Sequence, residues 1–288
     1  MCTLCLAWGV FPDAPMAVAA NRDEVDDRPA ESPSYYPDGI GDTACPGDSK
    51  SASGTSPDPR PSSDRSTAEG EDSPAVLSPR DARAGGTWIG ANDAGVVVAI
   101  TNRWADAGPD GDRSRGLLVA DCLNCSGAEN AVRGVERALQ HTTYSPFNLV
   151  VADRRAAFLV EWDGTVTITG LSPGVHVVVN VGGVVNGRDR FTLPSQRSAD
   201  AEQQRVNARR LWERVRPEPG TSPDRWLDSA GETLADHELG ACVHGDGFGT
   251  RSASLLRMAA GDGPALKRTR YEYADGPPCR TPFETPTE

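Results

Sequence analysis

Residues 1–24 read MCTLCLAWGVFPDAPMAVAANRDE. Within this stretch, two short apolar runs at residues 4–10 and 16–20 flank a Pro-Asp-Ala-Pro turn. Apolar runs of this length on either side of a turn are typical of a β-hairpin that buries one face. The polar residues 21–24 follow the second run directly, so the stretch predicts two paired strands with polar side chains gathered at one end.

Cys2 is small enough for methionine aminopeptidases to remove Met1 ahead of it. Removal would leave a thiol and a free α-amine on the same residue. The amine has a reference pKa of about 7.7 to 8.0, so part of it is a neutral base near pH 7. The thiol would act as the nucleophile and pass its proton to the amine, directly or through a water. Because many chains carry a small second residue by chance, the prediction depends on the residues that accompany Cys2.

The 288-residue chain is strongly acidic, with a formal net charge of -12 and a pI near 4.8. This balance argues against nucleic acid as a partner, since phosphate binding requires a basic face. Lysine occurs only at Lys50 and Lys267, so nearly all positive charge is arginine. An acidic surface poor in lysine indicates a halophilic, salt-adapted cytoplasm as the source.

No targeting or membrane segment is predicted. Pro12, Asp13 and Pro15 interrupt the first apolar stretch, where a secretory signal would need an unbroken apolar run of about 7 to 15 residues. No apolar run reaches the roughly 20 residues that span a bilayer. These patterns predict a soluble, cytoplasmic protein without a membrane span, in which the cysteines are reduced thiols rather than a disulfide framework.

The chain is predicted to form one domain over residues 1–288 with an insertion. Residues 32–79 are rich in Ser, Pro, Asp, Gly and Thr and poor in large apolar residues, which predicts a disordered insertion. Further strands are predicted at residues 96–101, 147–152, 156–162, 165–169, 175–181, 241–244, 252–258 and 267–273. Helices are predicted at residues 115–123, 128–139, 200–215 and 223–234. This order of elements favours an α+β layered sandwich over a doubly wound parallel sheet.

Several polar residues lie at the ends of predicted strands, where side chains of neighbouring strands can converge on one rim. A thiol nucleophile needs an acid that holds the α-amine, a cation that lowers the thiol pKa, and N–H donors that meet the developing oxyanion. Residues of these types at strand ends are Arg22, Asp23, Asn102, Asn180 and Arg251. Each of them alone also has an ordinary structural explanation, as a turn residue or as part of a surface ion pair.

The cysteines offer a zinc alternative. Two pairs have the CxxC spacing of zinc ligands, namely Cys2 with Cys5 and Cys122 with Cys125. The two pairs are far apart in the chain for a zinc ribbon, and Cys5 on an apolar strand is typical of a reduced core thiol. A third Cys/His spot, at residues 242–244, is attributed to chance. No metal or other cofactor is therefore predicted.

Seven motifs occur in one order along the chain: Met1-Cys2-Thr3-Leu4, Asn21-Arg22-Asp23-Glu24 with Arg28-Pro29, Gly85-Gly86-Thr87-Trp88-Ile89-Gly90, Thr101-Asn102, Arg115-Gly116, Phe147-Asn148-Leu149 and Gly249-Thr250-Arg251-Ser252. Together they resemble the NRDE-motif family, also called the transport and Golgi organisation protein 2 family. The resemblance covers nearly the whole chain except residues 32–79.

The resemblance implies both a fold and a site. The family is similar to N-terminal nucleophile hydrolases, with the four-layer αββα sandwich of choloylglycine hydrolases and penicillin V acylases. It implies that Cys2 is nucleophile and general base. The other implied site residues are Arg22 and Asp23 beside the thiol, Asn102 and Asn180 in the oxyanion hole, and Arg251 completing the pocket. The resemblance leaves open which of Arg22 and Asp23 touches Cys2.

Two functions follow as expectations. The first is a hydrolase that cleaves a non-peptide amide, ester or thioester bond of a small-molecule acyl substrate through Cys2. The second is implied by the family's associations alone: a non-catalytic protein that binds and moves a haem-like ligand, or a lipid or acyl-coenzyme A. The histidines are scattered and the CxxCH haem motif is absent, so the residues favour the hydrolase.

Overall fold

The computed structural model describes residues 2–41, 45 and 73–286. The predicted hairpin is present and longer than predicted, with β1 at Thr3–Phe11 and β2 at Ala14–Val25. The two strands are antiparallel, with Leu6 opposite Val18. Because β2 continues past the apolar run, the polar residues 21–24 belong to the strand itself.

The elements that follow within the described ranges are β3 (Ala30–Tyr36), β4 (Val76–Asp81), β5 (Ile89–Asn92), β6 (Val97–Asn102), α1 (Arg115–Leu123), α2 (Ala128–His141), β7 (Phe147–Ala152), β8 (Ala157–Trp162), β9 (Val166–Gly170), β10 (Gly174–Val179), β11 (Gly182–Val185), β12 (Arg188–Phe191), α3 (Ser198–Arg214), α4 (Pro223–Leu234), β13 (Phe248–Met258) and β14 (Thr269–Ala274). The strands form two antiparallel seven-stranded sheets. The first has the order β12-β11-β10-β1-β2-β13-β14, and the second runs from β3 to β9 in chain order. The hairpin therefore lies at the middle of the first sheet.

Helices α3 and α4 pack on the first sheet, and α1 and α2 pack on the second, which gives four layers in the order α, β, β, α. Buried apolar side chains fill the three spaces between the layers. Leu6 and Val18 of the first sheet and Leu159 of the second are among the side chains between the sheets. The predicted αββα sandwich is confirmed.

The side chains of β2 alternate between two of these spaces. Val18 and Ala20 lie between the sheets, and Ala17 and Ala19 lie in the layer under α3 and α4. Successive side chains of a strand point to opposite faces. Arg22 therefore shares the face of Val18 and Ala20, and the residues on either side of it point towards the helices.

Local capping sets the start of two helices. The Ser114 hydroxyl accepts a hydrogen bond from the N–H of Gly116 at 3.2 Å, so α1 begins at Arg115. The Ser222 hydroxyl caps α4 in the same way, ahead of a proline at the first helical position. No helix in the part of the chain that the structure describes is long and apolar enough to cross a membrane.

The structure differs from the sequence prediction in several elements. The short strands β5, β11 and β12 are not predicted from the sequence. Residues 241–244 do not form a strand, and only His244 pairs with Gly249 in an isolated bridge. Strands β3 and β4 take up the margins of the predicted insertion, while residues 42–44 and 46–72 of it lie outside the described residues. For those residues disorder stays a prediction.

The expectation that the cysteines are all reduced is wrong for one pair. Cys45 and Cys125 form a disulfide across a sequence separation of 80 residues. Cys45 belongs to the predicted insertion, and Cys125 follows the end of α1 and is buried with the helices of the second sheet. The disulfide therefore ties the insertion to this helical layer.

Candidate active site

A small cavity of about 100 Å³ lies where the ends of β2 and β6 meet the first turn of α1. Four of the predicted site residues line it: Cys2, Arg22, Asp23 and Asn102. The other lining residues are Asn21, Glu24, Arg28, Asp81, Thr87, Trp88, Ile100, Ser114, Arg115 and Gly116. Three arginines and three carboxylates are among these residues, so the cavity is polar but its formal charges balance.

Cys2 immediately precedes β1 and is half-buried at this cavity. Its thiol donates to the backbone carbonyl oxygen of Asp23, 3.7 Å from Sγ. Burial raises the pKa of the Cys2 thiol and the charge of Asp23 raises it further, while the α-amino group and Arg115 act in the opposite direction. The thiol is therefore protonated near neutral pH and needs a base close by to become a nucleophile.

Arg22 is buried on the face of β2 that looks towards the second sheet. Its guanidinium carbon lies 4.2 Å from the centre of the Trp88 ring, a cation–π contact. Its Nη2 lies 3.6 Å from Asp81 and 3.8 Å from Glu24. Neither terminal nitrogen has a hydrogen-bond partner among the described residues. Burial lowers the pKa of Arg22, but arginine remains charged at neutral pH, so the cavity contains a cation with donors available to a ligand.

Asp23 is buried, and its carboxylate is held by the neighbouring strand β13. Its Oδ1 accepts a hydrogen bond of 2.6 Å from the Thr250 hydroxyl, which in turn accepts from the N–H of Val243 at 2.9 Å. Burial raises the pKa of Asp23, whereas the positive α-amino group and the Thr250 hydroxyl lower it. The Thr250 hydroxyl thus fixes the carboxylate, and the Cys2 thiol contacts the backbone carbonyl of Asp23.

Asn102 and Asn180 are adjacent but differ in their access to the cavity. Asn102 ends β6 and lines the cavity with an exposed side chain. Asn180 is buried behind it, where Nδ2 donates to the backbone carbonyl of Asn102 at 2.8 Å and Oδ1 accepts from Gln204 at 3.2 Å. The Asn180 side chain therefore positions the backbone of Asn102 and is not among the groups that line the cavity.

Arg251 lies outside this cavity, although the family resemblance implies a place in the pocket. A β-bulge between Thr250 and Ser252 interrupts the pairing of β13 with β2 at this position. The Arg251 side chain is partly exposed, and its Nη1 lies 3.9 Å from Asp26. Arg251 is therefore not among the residues that line the cavity with Cys2.

Arg115 lines the cavity, although the sequence analysis does not assign it to the site. It is the first residue of α1, it lines the cavity, and its Nη1 donates to the carbonyl of Pro146 at 2.8 Å. Burial lowers the pKa of Arg115, and the charge of Cys2 opposes this effect. The Arg115-Gly116 motif could have pointed to this residue, but nothing in the sequence places the motif beside the Cys2 thiol.

Gly86 explains how α1 can begin so close to Cys2. A Cβ atom at Gly86 would lie 2.2 Å from the carbonyl carbon of Gly116, a distance that no side chain can occupy. The N–H of Thr87 donates to the carbonyl of Gly116 at 3.0 Å. The glycine therefore allows the segment before β5 to touch the first turn of α1, and this contact brings Arg115 to the cavity.

The two CxxC pairs do not form a common zinc site. Cys5 is buried in the layer under α3 and α4, where burial raises its pKa to about 12. Cys122 is buried on the far side of the sandwich, in the layer under α1 and α2. Cys125 is bonded to Cys45. Both sheets therefore separate Cys5 from Cys122 and Cys125, and Cys125 is already in a disulfide.

A family model described as Transport and Golgi organisation 2 matches residues 59–262. No curated protein matches the sequence. Among solved structures, the penicillin V acylase from Agrobacterium tumefaciens aligns with a TM-score of 0.52 and 14% identity, over 99% of this chain and 98% of that chain. A variant of the conjugated bile acid hydrolase from Clostridium perfringens aligns with a TM-score of 0.48 and 13% identity, over 94% and 89% of the two chains. The similarity to the acylase shows that the fold is that of N-terminal nucleophile hydrolases.

Proposed function

Because the chain belongs to the Transport and Golgi organisation 2 family and has the fold of N-terminal nucleophile hydrolases, we propose that it is a hydrolase with Cys2 as nucleophile after removal of Met1. The bond cleaved is a non-peptide amide, ester or thioester of a small-molecule acyl substrate. The observation that carries the proposal is the position of the Cys2 thiol on a polar cavity shared with Arg22, Asp23 and Asn102.

The reaction begins with the proton of the thiol. Because burial raises the pKa of Cys2, little thiolate is present near pH 7. Removal of Met1 creates an α-amine on Cys2 itself, with a reference pKa of about 7.7 to 8.0. Sγ attacks the substrate carbonyl carbon while its proton passes to this amine, directly or through a water.

The second half of the reaction consumes one water. The tetrahedral intermediate collapses, the α-ammonium protonates the leaving amine, alcohol or thiol, and the acyl group remains on Sγ as a thioester. A water molecule deprotonated by the same amine attacks this thioester, and the carboxylic acid leaves. The proton returns to the thiol, so the enzyme is regenerated.

Asp23 is proposed to hold the α-ammonium through its carboxylate. It is buried, and its backbone carbonyl lies 3.7 Å from the Cys2 thiol, so it is next to the residue that would carry the amine. Thr250 fixes the carboxylate by its hydrogen bond, so the carboxylate is oriented before substrate arrives. Fixed groups of this kind cost no reorganisation during the reaction.

The developing oxyanion requires donors at the cavity. The Asn102 side chain is at the cavity and supplies an amide, and Asn180 acts as a positioning residue because it holds the carbonyl of Asn102. Arg22 has terminal nitrogens without hydrogen-bond partners in the described part of the chain and is suited to a substrate oxygen. The charge of Arg115 stabilises the thiolate as it forms.

The size of the cavity also bears on the choice of function. A volume of about 100 Å³ accommodates a reacting carbonyl and its nearest atoms. Pockets that enclose a whole ligand are larger, about 300 to 1,000 Å³. The rest of an acyl substrate would therefore lie outside the cavity. Haem binding has no supporting observation of its own among the described residues, so the hydrolase is the better-supported function.

The test uses the purified full chain with p-nitrophenyl esters, acyl p-nitroanilides and acyl-coenzyme A thioesters of graded chain length. Intact-mass spectrometry first determines whether Met1 is removed. We expect hydrolysis of at least one probe, an acyl adduct on the Cys2 peptide, and a loss of activity by a factor of about 10³ or more in Cys2→Ala. Cys5→Ala, a buried thiol away from the cavity, is the matched control and should retain activity. Equal rates in Cys2→Ala and the wild type would refute the proposal.

A further inference from the structure

Two histidines and two cysteines meet outside the residues that line the Cys2 cavity. They are His237, Cys242, His244 and Cys279. The first three lie in the connection between α4 and β13, and the fourth lies in the segment that follows β14. Their ligand atoms all lie within 4.8 Å of one another. The sequence analysis attributes residues 242–244 to chance, but the structure brings them together with His237 and Cys279.

The distances suit a single tetrahedral ion. His244 Nε2 lies 3.8 Å from Cys242 Sγ and 3.2 Å from Cys279 Sγ. Zinc binds thiolate sulfur at about 2.3 Å and imidazole nitrogen at about 2.0 to 2.1 Å, which places the corners of a tetrahedron about 3.3 to 3.8 Å apart. The side chains therefore need only small adjustments to surround one ion.

The tautomer of His237 is already the one that a metal ligand needs. Its Nδ1 lies 3.0 Å from the backbone carbonyl oxygen of Cys242, and a carbonyl can only accept, so Nδ1 carries the proton. The lone pair is therefore on Nε2. The His237 and His244 rings are close, with centres 5.1 Å apart. A backbone carbonyl that orients a histidine through its other ring nitrogen is the usual outer-shell partner of a metal ligand.

A disulfide between the two cysteines is the alternative explanation of the cluster. Cys242 and Cys279 are both free thiols. By contrast, Cys45 and Cys125 are joined in the same structure. The two histidines also have no role in a disulfide, whereas two imidazoles and two thiolates are the complete ligand set of a structural zinc site.

We propose that His237, Cys242, His244 and Cys279 bind one Zn²⁺ in a closed, four-ligand structural site. Both thiols would lose their protons on binding, so the two thiolates neutralise the charge of the ion. All four positions of the ion would be filled by the protein, which leaves none for a substrate or an activated water. The site is therefore structural rather than catalytic.

Such a site would tie two peripheral segments together. The segment after β14 returns to that strand through a bridge between Tyr273 and Glu284, and the ion would anchor its middle at Cys279. The other segment contains Val243, which lies between Cys242 and His244 in the sequence. The N–H of Val243 donates to the Thr250 hydroxyl. The ion would thereby support the strand connection that backs the Asp23 carboxylate.

The experiment measures metal binding by the full chain and does not use hydrolase activity. Protein treated with a chelator and a reductant is titrated with ZnCl₂ against a chromophoric chelator, and separately with CoCl₂. We expect one equivalent of either metal, with Co²⁺ giving the intense visible bands of a tetrahedral ion and a thiolate-to-metal charge-transfer band. Cys279→Ala and His237→Gln change side chains that are not fully buried, and each should weaken metal binding at least about tenfold. His141→Gln, at the end of α2, is the matched control and should bind normally.

Three outcomes would overturn the proposal. The first is absence of binding by the reduced, folded wild type. The second is equal stoichiometry and affinity in Cys279→Ala, His237→Gln and the control. The third is a Cys242–Cys279 disulfide in the native protein, detected as a cross-linked peptide, together with no metal binding after the disulfide is reduced. Circular dichroism of each variant separates loss of the site from loss of the fold. None of these outcomes affects the proposal for Cys2.

Discussion

The Thr250 hydroxyl donates a hydrogen bond of 2.6 Å to the Asp23 carboxylate, although 227 positions separate the two residues in the sequence. Both side chains are buried. Hydrogen bonds to a charged acceptor in a buried setting are stronger than neutral ones. The orientation of the carboxylate that is proposed to hold the α-ammonium of Cys2 therefore depends on a strand near the other end of the chain.

Replacement of Thr250 tests this dependence. Thr250→Val keeps the shape but removes the donor to Asp23 and the acceptor for the Val243 N–H, so we expect kcat/KM to fall about 10- to 100-fold. The free energy of unfolding should fall by about 1 to 3 kcal/mol, since the buried Asp23 carboxylate loses its donor. Thr250→Ser, which keeps the hydroxyl, is the control. Equal kcat/KM values in the two variants would show that the hydroxyl has no role.

Asp23→Asn should have opposite effects on stability and on activity. The folded-state pKa of Asp23 is raised, so ionisation of this carboxyl destabilises the fold above that pKa. An amide removes this cost, and we expect a higher urea midpoint than the wild type at pH 7 together with a loss of activity. The gain should disappear below about pH 3.9, where the carboxyl is protonated in both the folded and unfolded states. A gain that is the same at acidic and neutral pH would contradict this explanation.

Arg115 and Arg251 form a matched pair of substitutions, since only Arg115 lines the cavity. Arg115→Gln removes an arginine whose charge lowers the pKa of the Cys2 thiol, and we expect kcat/KM to fall about 10²-fold. Arg251→Gln removes a partly exposed side chain beside Asp26 and should change kcat/KM little. Steady-state kinetics on the best probe substrate measures both. A large effect of Arg251→Gln with none of Arg115→Gln would reverse the assignment made from the structure.

Gly86→Ala tests the contact that places α1. The added methyl group would collide with the backbone of Gly116, and overpacking of this kind costs about 1 to 3 kcal/mol. We also expect lower activity, because relief of the collision moves the first turn of α1 away from Cys2. Gly170→Ala adds the same atom where there is open space, so its urea denaturation curve should match the wild type. Similar destabilisation in both variants would rule out the contact as the cause.

The Cys45–Cys125 disulfide should contribute to stability through the long loop that it closes. Bridges of this kind typically contribute about 2 to 4 kcal/mol. We expect a reductant to lower the free energy of unfolding of the wild type by about this amount in urea denaturation. The Cys45→Ser/Cys125→Ser double variant should already be destabilised and should not respond further. A reductant effect of the same size in the double variant would point to other thiols.

Elements whose signals are local could be predicted from the sequence. Residues 115–123 and 223–234 are helical in both the prediction and the structure, because each has apolar periodicity and a serine cap just before it. Strand β12 could not be predicted. Its sequence, Arg188–Phe191, is mostly charged, and it is a strand only because it pairs with β11 at the edge of the sheet.

The candidate site likewise has a part that local sequence signals predict and a part that depends on tertiary packing. The motifs pointed to Cys2, Arg22, Asp23 and Asn102, and these residues share the cavity because three of them lie in or beside one hairpin. That Arg115 lines the cavity and Arg251 does not could not be predicted. It depends on a bulge in β13 and on the contact of Gly86 with the backbone of α1, both of which form only when separate segments pack.

By itself, the sequence determined the hairpin, the alternation of its faces and the thiol at its start, because these depend on neighbours in the chain. Only the tertiary structure decided which charges surround that thiol and that His237, Cys242, His244 and Cys279 form one cluster. The physical reason is that pKa shifts and metal ligand sets depend on distances of a few ångströms. Residues far apart in the chain reach such distances only when the layers of the sandwich pack.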